Sequence, residues 1–268
     1  MYKIVEFSIA EIDFEMRFVE TELYNATKKF LTPFLKDDKL IDNKEKFIWE
    51  LKLDSCVGKM QENVNESEDT VVSEKWFAKI DFNNSFIKSE VAENNDGYLY
   101  ALICGVYFKI FKRKTSYLWC HSCGVLRNDK CYIFTGVSGA GKTTIANKCK
   151  QFQVLSDETV ILKVENEKIY AFGTPFSSDN SELKGTNQKG EVTAIFIISH
   201  GEKSTVKRIA VTQAFKEIMK TNIDSNIQDF FNKQIGMLWE AVLLNIPCYK
   251  FEVNINDDIW EVIDNDHL

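Results

Sequence analysis

The sequence predicts an α+β protein in which a phosphate-binding loop sits in a mostly antiparallel sheet, preceded by a smaller strand-rich domain. Three observations carry that class. Gly136 to Thr143 (GVSGAGKT) fits the G-x-x-x-x-G-K-[ST] pattern with no mismatch. A short apolar strand, Lys130 to Phe134, precedes it and a helix-compatible segment, Thr144 to Lys150, follows, which is the context a phosphate loop requires. Beyond the loop, QVLSDETVILK and IYAFGTPF are separated only by the turn-like VENEK. That leaves no room for the crossover helices of ~10 to 15 residues that a doubly wound sheet inserts between its strands.

The elements follow in order. Phe7, Ile9, Ile12, Phe14, Met16 and Phe18 nearly keep period two, and Phe47, Trp49, Leu51 and Leu53 keep it strictly. Both stretches read as half-buried strands, with helix over Thr21 to Leu35 between them. Gly58 to Thr70 is polar, acidic and without period, an exposed loop. WFAKIDF and SFIKSEV are strands joined by a hairpin turn at Asn83 and Asn84. Leu99, Leu102, Ile103, Val106 and Ile110 recur at helical spacing, and the segment closes on Lys112, Arg113 and Lys114, cations that suit a helix C-terminus. A boundary near Lys114 divides the chain into an accessory or docking domain, 1–114, and a catalytic domain, 115–268.

In the second domain VTAIFIIS and STVKRIA read as a strand pair joined by HGEK. Helices follow over Thr212 to Thr221 and Ser225 to Asn245, the latter opened by a capping box at Ser225 and Gln228 and ended by Pro247. The strand CYKFEVNI and a short helix around Asp257 to Ile263 finish the chain.

In a loop of this pattern the glycines let successive backbone N–H groups face inward, making a nest for a polyphosphate at the start of a helix. Gly136, Val137, Ser138, Gly139, Ala140, Gly141, Lys142, Thr143 and Thr144 are therefore the expected ATP-binding set. Lys142 reaches for the terminal phosphates. Thr143 offers its hydroxyl to Mg²⁺, which takes hard oxygen ligands together with phosphate oxygens.

Composition excludes other classes. A net charge of −7 argues against nucleic-acid binding, which needs basic patches. No apolar run approaches the ~18 residues of a membrane span, and the acidic N-terminal stretch is unlike a signal peptide, so a cytoplasmic protein is expected. Seven cysteines, an odd number over a long chain, fit reduced thiols. Cys120 and Cys123 have zinc half-site spacing, but no second pair at similar spacing exists, so they read as small buried side chains flanking His121. No N-K-x-D segment reads guanine: Asn232 and Lys233 are followed by Gln and Ile.

Four short stretches cluster about the loop: CHSCGVL (Cys120 to Leu126), the loop itself, LSDETV (Leu155 to Val160) and GTPF (Gly173 to Phe176). In order and spacing they resemble the catalytic domain of HPr kinase/phosphorylase and its relatives, the small HPr-kinase-like kinases found with peptide-modification enzymes. The similarity runs from about His121 to the C-terminus, where IPCYKFEVN and IWEVI resemble the family's closing strand and helix. It implies an HPr-kinase/PEP-carboxykinase-like fold, with His121 beside the phosphates and Lys142 and Thr143 as the loop lysine and hydroxyl. Asp157 and Glu158 match the family's pair of aspartates, one as metal ligand and one as base. Glu158 departs from that pattern, which leaves open which of the two takes the proton.

The same set meets a need stated without the family. Phosphoryl transfer asks for positioning, charge neutralisation and a base near the acceptor hydroxyl. The expected function is an ATP- and Mg²⁺-dependent serine kinase acting on a peptide or small protein; the alternative is a non-catalytic ATP-binding sensor or scaffold. Ser177 to Glu191 reads as a polar mobile loop able to close over an acceptor. Arg127 and Arg208 are each candidates to clamp phosphate. The 1–114 domain is expected either to dock the acceptor or to mediate self-association.

Overall fold

The computed structural model describes residues 2–36, 45–57, 67–178, 183–222 and 233–265. It is a mixed α/β structure with two sheets, in two compact units, Met1–Lys114 and Thr115–Leu268.

The first unit holds β1 (Lys3–Ile9), β2 (Ile12–Phe18), α1 (Thr21–Phe30), β3 (Lys46–Leu53), β4 (Thr70–Val72), β5 (Trp76–Asp81), β6 (Phe86–Val91) and α2 (Asp96–Lys112). Its sheet runs β1-β2-β3-β6-β5-β4, with β2–β3 and β3–β6 parallel. The missed beat of the period between Ile9 and Ile12 is a two-residue turn, with Ala10 and Glu11 at φ 49° and 65°, the twist a tight hairpin needs. The helix expected to Leu35 stops at Phe30 and passes into a 3-10 turn over Thr32–Phe34, because Pro33 has no N–H to donate and disfavours helical backbone before it. The Asn83 and Asn84 turn is held by Asp81, whose carboxylate accepts from both backbone N–H groups. Of the expected loop Gly58 to Thr70, 58–66 lie outside the described residues, and Thr70 opens β4, a strand too short to register as period. Asn95 caps α2 by accepting from the N–H groups of Gly97 and Tyr98.

The second unit holds β7 (Tyr117–Arg127), β8 (Lys130–Thr135), α3 (Lys142–Lys148), β9 (Gln153–Ser156), β10 (Thr159–Glu165), β11 (Lys168–Phe172), β12 (Lys189–His200), β13 (Thr205–Arg208), α4 (Val211–Asn222), α5 (Lys233–Asn245), β14 (Cys248–Val253) and α6 (Ile259–Asn265). Strands run β11-β10-β7-β8-β12-β14-β13, with β9 on β7. The start of β12 also returns to β11. β12 pairs parallel with β8 and β14.

One expectation needs correcting. VTAIFIIS and STVKRIA are not a strand pair: β14 lies between β12 and β13. The reason is burial. β12 is apolar on both faces from Ala194 to Ile198, as a central parallel strand is, so it takes a strand on each side. One face of the sheet packs Ile133, Ile195 and Ile197 against Ala214, Ile218 and Trp239 of α4 and α5. The other packs Phe134, Phe196 and Ile198 against Ile145, Trp260 and Ile263 of α3 and α6. The capping box at Ser225 and Gln228 lies outside the described residues. No helix among the described residues is long and apolar enough to cross a membrane.

Candidate functional site

The site forms where β7 changes partners. Its first half, Tyr117 to His121, pairs with β10; its second half, from Ser122, pairs with β8 and β9. Thr135, the last residue of β8, lies opposite Ser122, and its hydroxyl donates to the carbonyl of His121 at 3.0 Å. The loop Gly136 to Thr143 therefore begins beside His121. Across β7, Asp157 and Glu158 interrupt the passage from β9 to β10, with the Ser122 N–H donating to the Glu158 carbonyl at 3.0 Å. Register alone thus brings His121, the loop and the acidic pair together from separate parts of the chain.

The loop closes against β12. A Cβ on Gly136 would stand 2.8 Å from the Ile198 carbonyl oxygen, while one on Gly139 would meet nothing within 4 Å. Gly139 and Gly141 have φ 79° and 105°, values that cost a side-chain-bearing residue energy. Lys142 is 7% exposed and its Nζ donates to the Gly136 carbonyl at 2.9 Å. Burial holds its ammonium below the ordinary lysine range, and the Glu158 carboxylate partly offsets this.

Asp157 is buried. Its Oδ2 accepts from the Ser178 hydroxyl at 2.7 Å, and the Ser178 Oγ lies 3.1 Å from Thr143 Oγ1. Glu158 points to His121, with Oε1 3.2 Å from Nδ1. Cys120 and Cys123 are buried beside that histidine, and burial pushes the Cys120 thiol up to about 12. Among the described residues no cluster of three or more His, Cys, Asp or Glu is placed to hold a metal ion. The oxygen donors available to a hard cation are instead Thr143 and Asp157, separated by a single hydroxyl. With the open side of Gly139, this donor set fits a polyphosphate and a divalent cation.

GTPF is a tied-down turn. Thr174 Oγ1 donates to the Thr159 carbonyl at 2.6 Å, Ser156 Oγ donates to the Phe176 carbonyl at 2.7 Å, and the Phe176 ring lies 5.3 Å from that of Trp119. The stretch Ser177 to Glu191 is not one polar loop throughout. Residues 179–182 lie outside the described residues, but the Thr186 N–H donates to the Leu155 carbonyl at 3.1 Å, and Lys189 to Glu191 already belong to β12.

Arg127, one of the two candidate phosphate clamps, is engaged with another partner. Its guanidinium makes a two-bond pair with Asp264, both at 2.7 Å, over the Trp260 ring at 4.7 Å. Arg208 stands on the edge strand β13, with β14 and β12 between it and β8. Two site residues escape sequence reasoning. His200 at the end of β12 has Nε2 2.8 Å from the Gly139 carbonyl oxygen; a carbonyl only accepts, so this nitrogen carries the proton. Ser178 is the other. Its only sequence signal is its place two residues after GTPF.

No family model matches the chain, and no curated protein matches it. Among solved structures, the chain is similar to an HPr(Ser) kinase/phosphatase from Coxiella burnetii, at 12% identity over 56% of this chain and 96% of that one, with a TM-score of 0.33. A likeness of that size carries no argument about the chemistry of this chain.

Proposed function

We propose that this protein is an ATP- and Mg²⁺-dependent kinase that phosphorylates a hydroxyl, a serine of a peptide or small protein. The observation that carries the reading is the bridge from Thr143 through the Ser178 hydroxyl to Asp157. It sets a metal-ligating hydroxyl and a carboxylate one hydroxyl apart at the mouth of a phosphate loop.

When bound, Mg²⁺ would supply charge neutralisation across the phosphates. The chain's own residues do the rest. The N–H groups of Gly136 to Thr143 orient the triphosphate, and Lys142 leaves the Gly136 carbonyl to meet its terminal oxygens. Thr143 and Asp157 would hold the cation. A carboxylate of the acidic pair takes the acceptor proton, and His121 fixes the Glu158 side chain with which it pairs. In this reading the first unit is an accessory domain that docks the acceptor. The binding-only reading has no use for the Glu158–His121 pair, since holding a nucleotide needs no base.

The test is incubation with γ-labelled ATP, Mg²⁺ and a panel of serine peptides, small proteins and hydroxyl compounds. One added phosphate on an acceptor serine is expected. ATP binding without transfer to any member of the panel would favour the sensor.

A further inference from the structure

We propose that Ser178 is itself a phosphoryl acceptor, so that the chain modifies its own serine at the mouth of the phosphate loop. The inference rests on the phosphotransferase reading above. Ser178 stands two residues after Phe176, which is 1% exposed and fixed by the Ser156 hydroxyl on its carbonyl. Two residues beyond an anchored side chain, with consecutive Cα atoms 3.8 Å apart, Ser178 stays within a short radius of Asp157.

Its hydroxyl has one hydrogen. That hydrogen goes to Asp157 Oδ2 at 2.7 Å, so at 3.1 Å from Thr143 Oγ1 the Ser178 oxygen is the acceptor of the Thr143 proton. The result is a directed chain from Thr143 to Ser178 to Asp157. A hydroxyl donating to a carboxylate within about 2.6 to 3.2 Å is the geometry general-base catalysis requires. Thr143 adjoins Lys142, the residue that would meet the terminal phosphates. Any outside serine must reach these same atoms, and Ser178 already stands there.

In the step, the Ser178 proton passes to Asp157 Oδ2, the oxygen it already faces, while Oδ1 would be left to the cation, and Oγ bonds to the γ-phosphorus of a nucleoside triphosphate. The bond from that phosphorus to the β,γ-bridging oxygen breaks, and the nucleoside diphosphate leaves. The product places a phosphate beside Asp157, where like charge opposes binding of the next triphosphate.

The intact protein is incubated with ATP, Mg²⁺ and the acceptor panel, then denatured and digested with trypsin, whose cuts after Lys168 and Lys184 release residues 169–184. The expected result is one phosphate on that peptide, assigned by fragment ions to Ser178. It forms at a rate constant independent of protein concentration and is absent from Lys142→Ala and Ser178→Ala. ADP release or panel phosphorylation with Ser178 unmodified overturns this inference and leaves the transferase reading standing; no ADP and no transfer overturns both. Phosphate on Ser177 or Ser181 instead also overturns it. A second readout needs no turnover: with a non-hydrolysable ATP analogue and Mg²⁺, Ser178→Glu should bind about tenfold more weakly than Ser178→Gln, the scale of one close like-charge contact. Equal affinities would place residue 178 away from the phosphates and overturn the proposal.

Discussion

His200 holds the Gly136 to Thr143 loop from outside, its Nε2 donating to the carbonyl of Gly139 at 2.8 Å. A residue at the end of β12 thus fixes the turn whose φ of 79° at Gly139 sets the direction of the neighbouring N–H groups. Losing one hydrogen bond costs about 0.5 to 1.5 kcal/mol, so His200→Ala should raise KM for ATP roughly two- to tenfold with kcat little changed. His200→Gln, which keeps a donor, should recover most of the loss. Steady-state kinetics in ATP checks this, and an unaltered KM in His200→Ala would remove the loop-holding role.

The two carboxylates have different partners and a shared consequence. Asp157 is buried on Ser178 and Glu158 is half-buried on His121. Asp157→Asn and Glu158→Gln should each lower kcat by about 10² or more, the scale of a general acid–base group. Near-parent turnover in both variants would return the pair to a structural role.

Much of this site was legible because its local signals are strong. The loop pattern is contiguous, and the acidic pair and His121 lie near it in sequence. What escaped depends on pairing between distant strands. His200 sits in HGEK, which reads as an ordinary turn until β12 is laid against β8. The insertion of β14 between β12 and β13 likewise comes from long-range pairing, although one local clue existed: TAIFIIS lacks alternation, the mark of a strand buried on both faces. Ser178 carries no motif at all, and only the anchoring of Phe176 brings it to Asp157. Arg127 was misleading for a related reason, since its partner Asp264 lies on α6, far along the chain.

Lys142 gives a prediction on stability. Its folded-state pKa lies below its unfolded value of 10.5. Between the two values the unfolded chain binds more protons, so this group's contribution to stability rises with pH. Below both values the whole penalty of burying the ammonium is present, and above both it is gone. Lys142→Met carries no such penalty. The Tm of Lys142→Met minus that of the parent should therefore be most positive near neutral pH and fall as pH approaches 10.5, each ~1 kcal/mol appearing as ~2 to 4 °C. A difference that grows with pH would contradict the assigned burial.

Gly185 tests the anchoring of GTPF. A Cβ there would stand 1.8 Å from the Thr174 carbonyl oxygen, a backbone atom that cannot swing aside. Gly185→Ala should cost about 1 to 3 kcal/mol or more, the range for overpacking, and should lower transfer activity by shifting the turn that carries Ser178. Denaturant midpoints at unchanged slope measure the first effect. Parent-level stability would mean that the two backbones are not in close contact.

The central claim is that the loop and Asp157 form one centre for a metal-bound nucleotide, and calorimetric titration of ATP tests it without knowledge of the acceptor. The account predicts that Mg²⁺ strengthens ATP binding to the parent protein, that Thr143→Val and Asp157→Asn bind ATP with that metal dependence lost, and that Lys142→Ala binds it weakly with or without the metal. Equal ATP affinity in all four proteins, with no effect of Mg²⁺ on any, would contradict it.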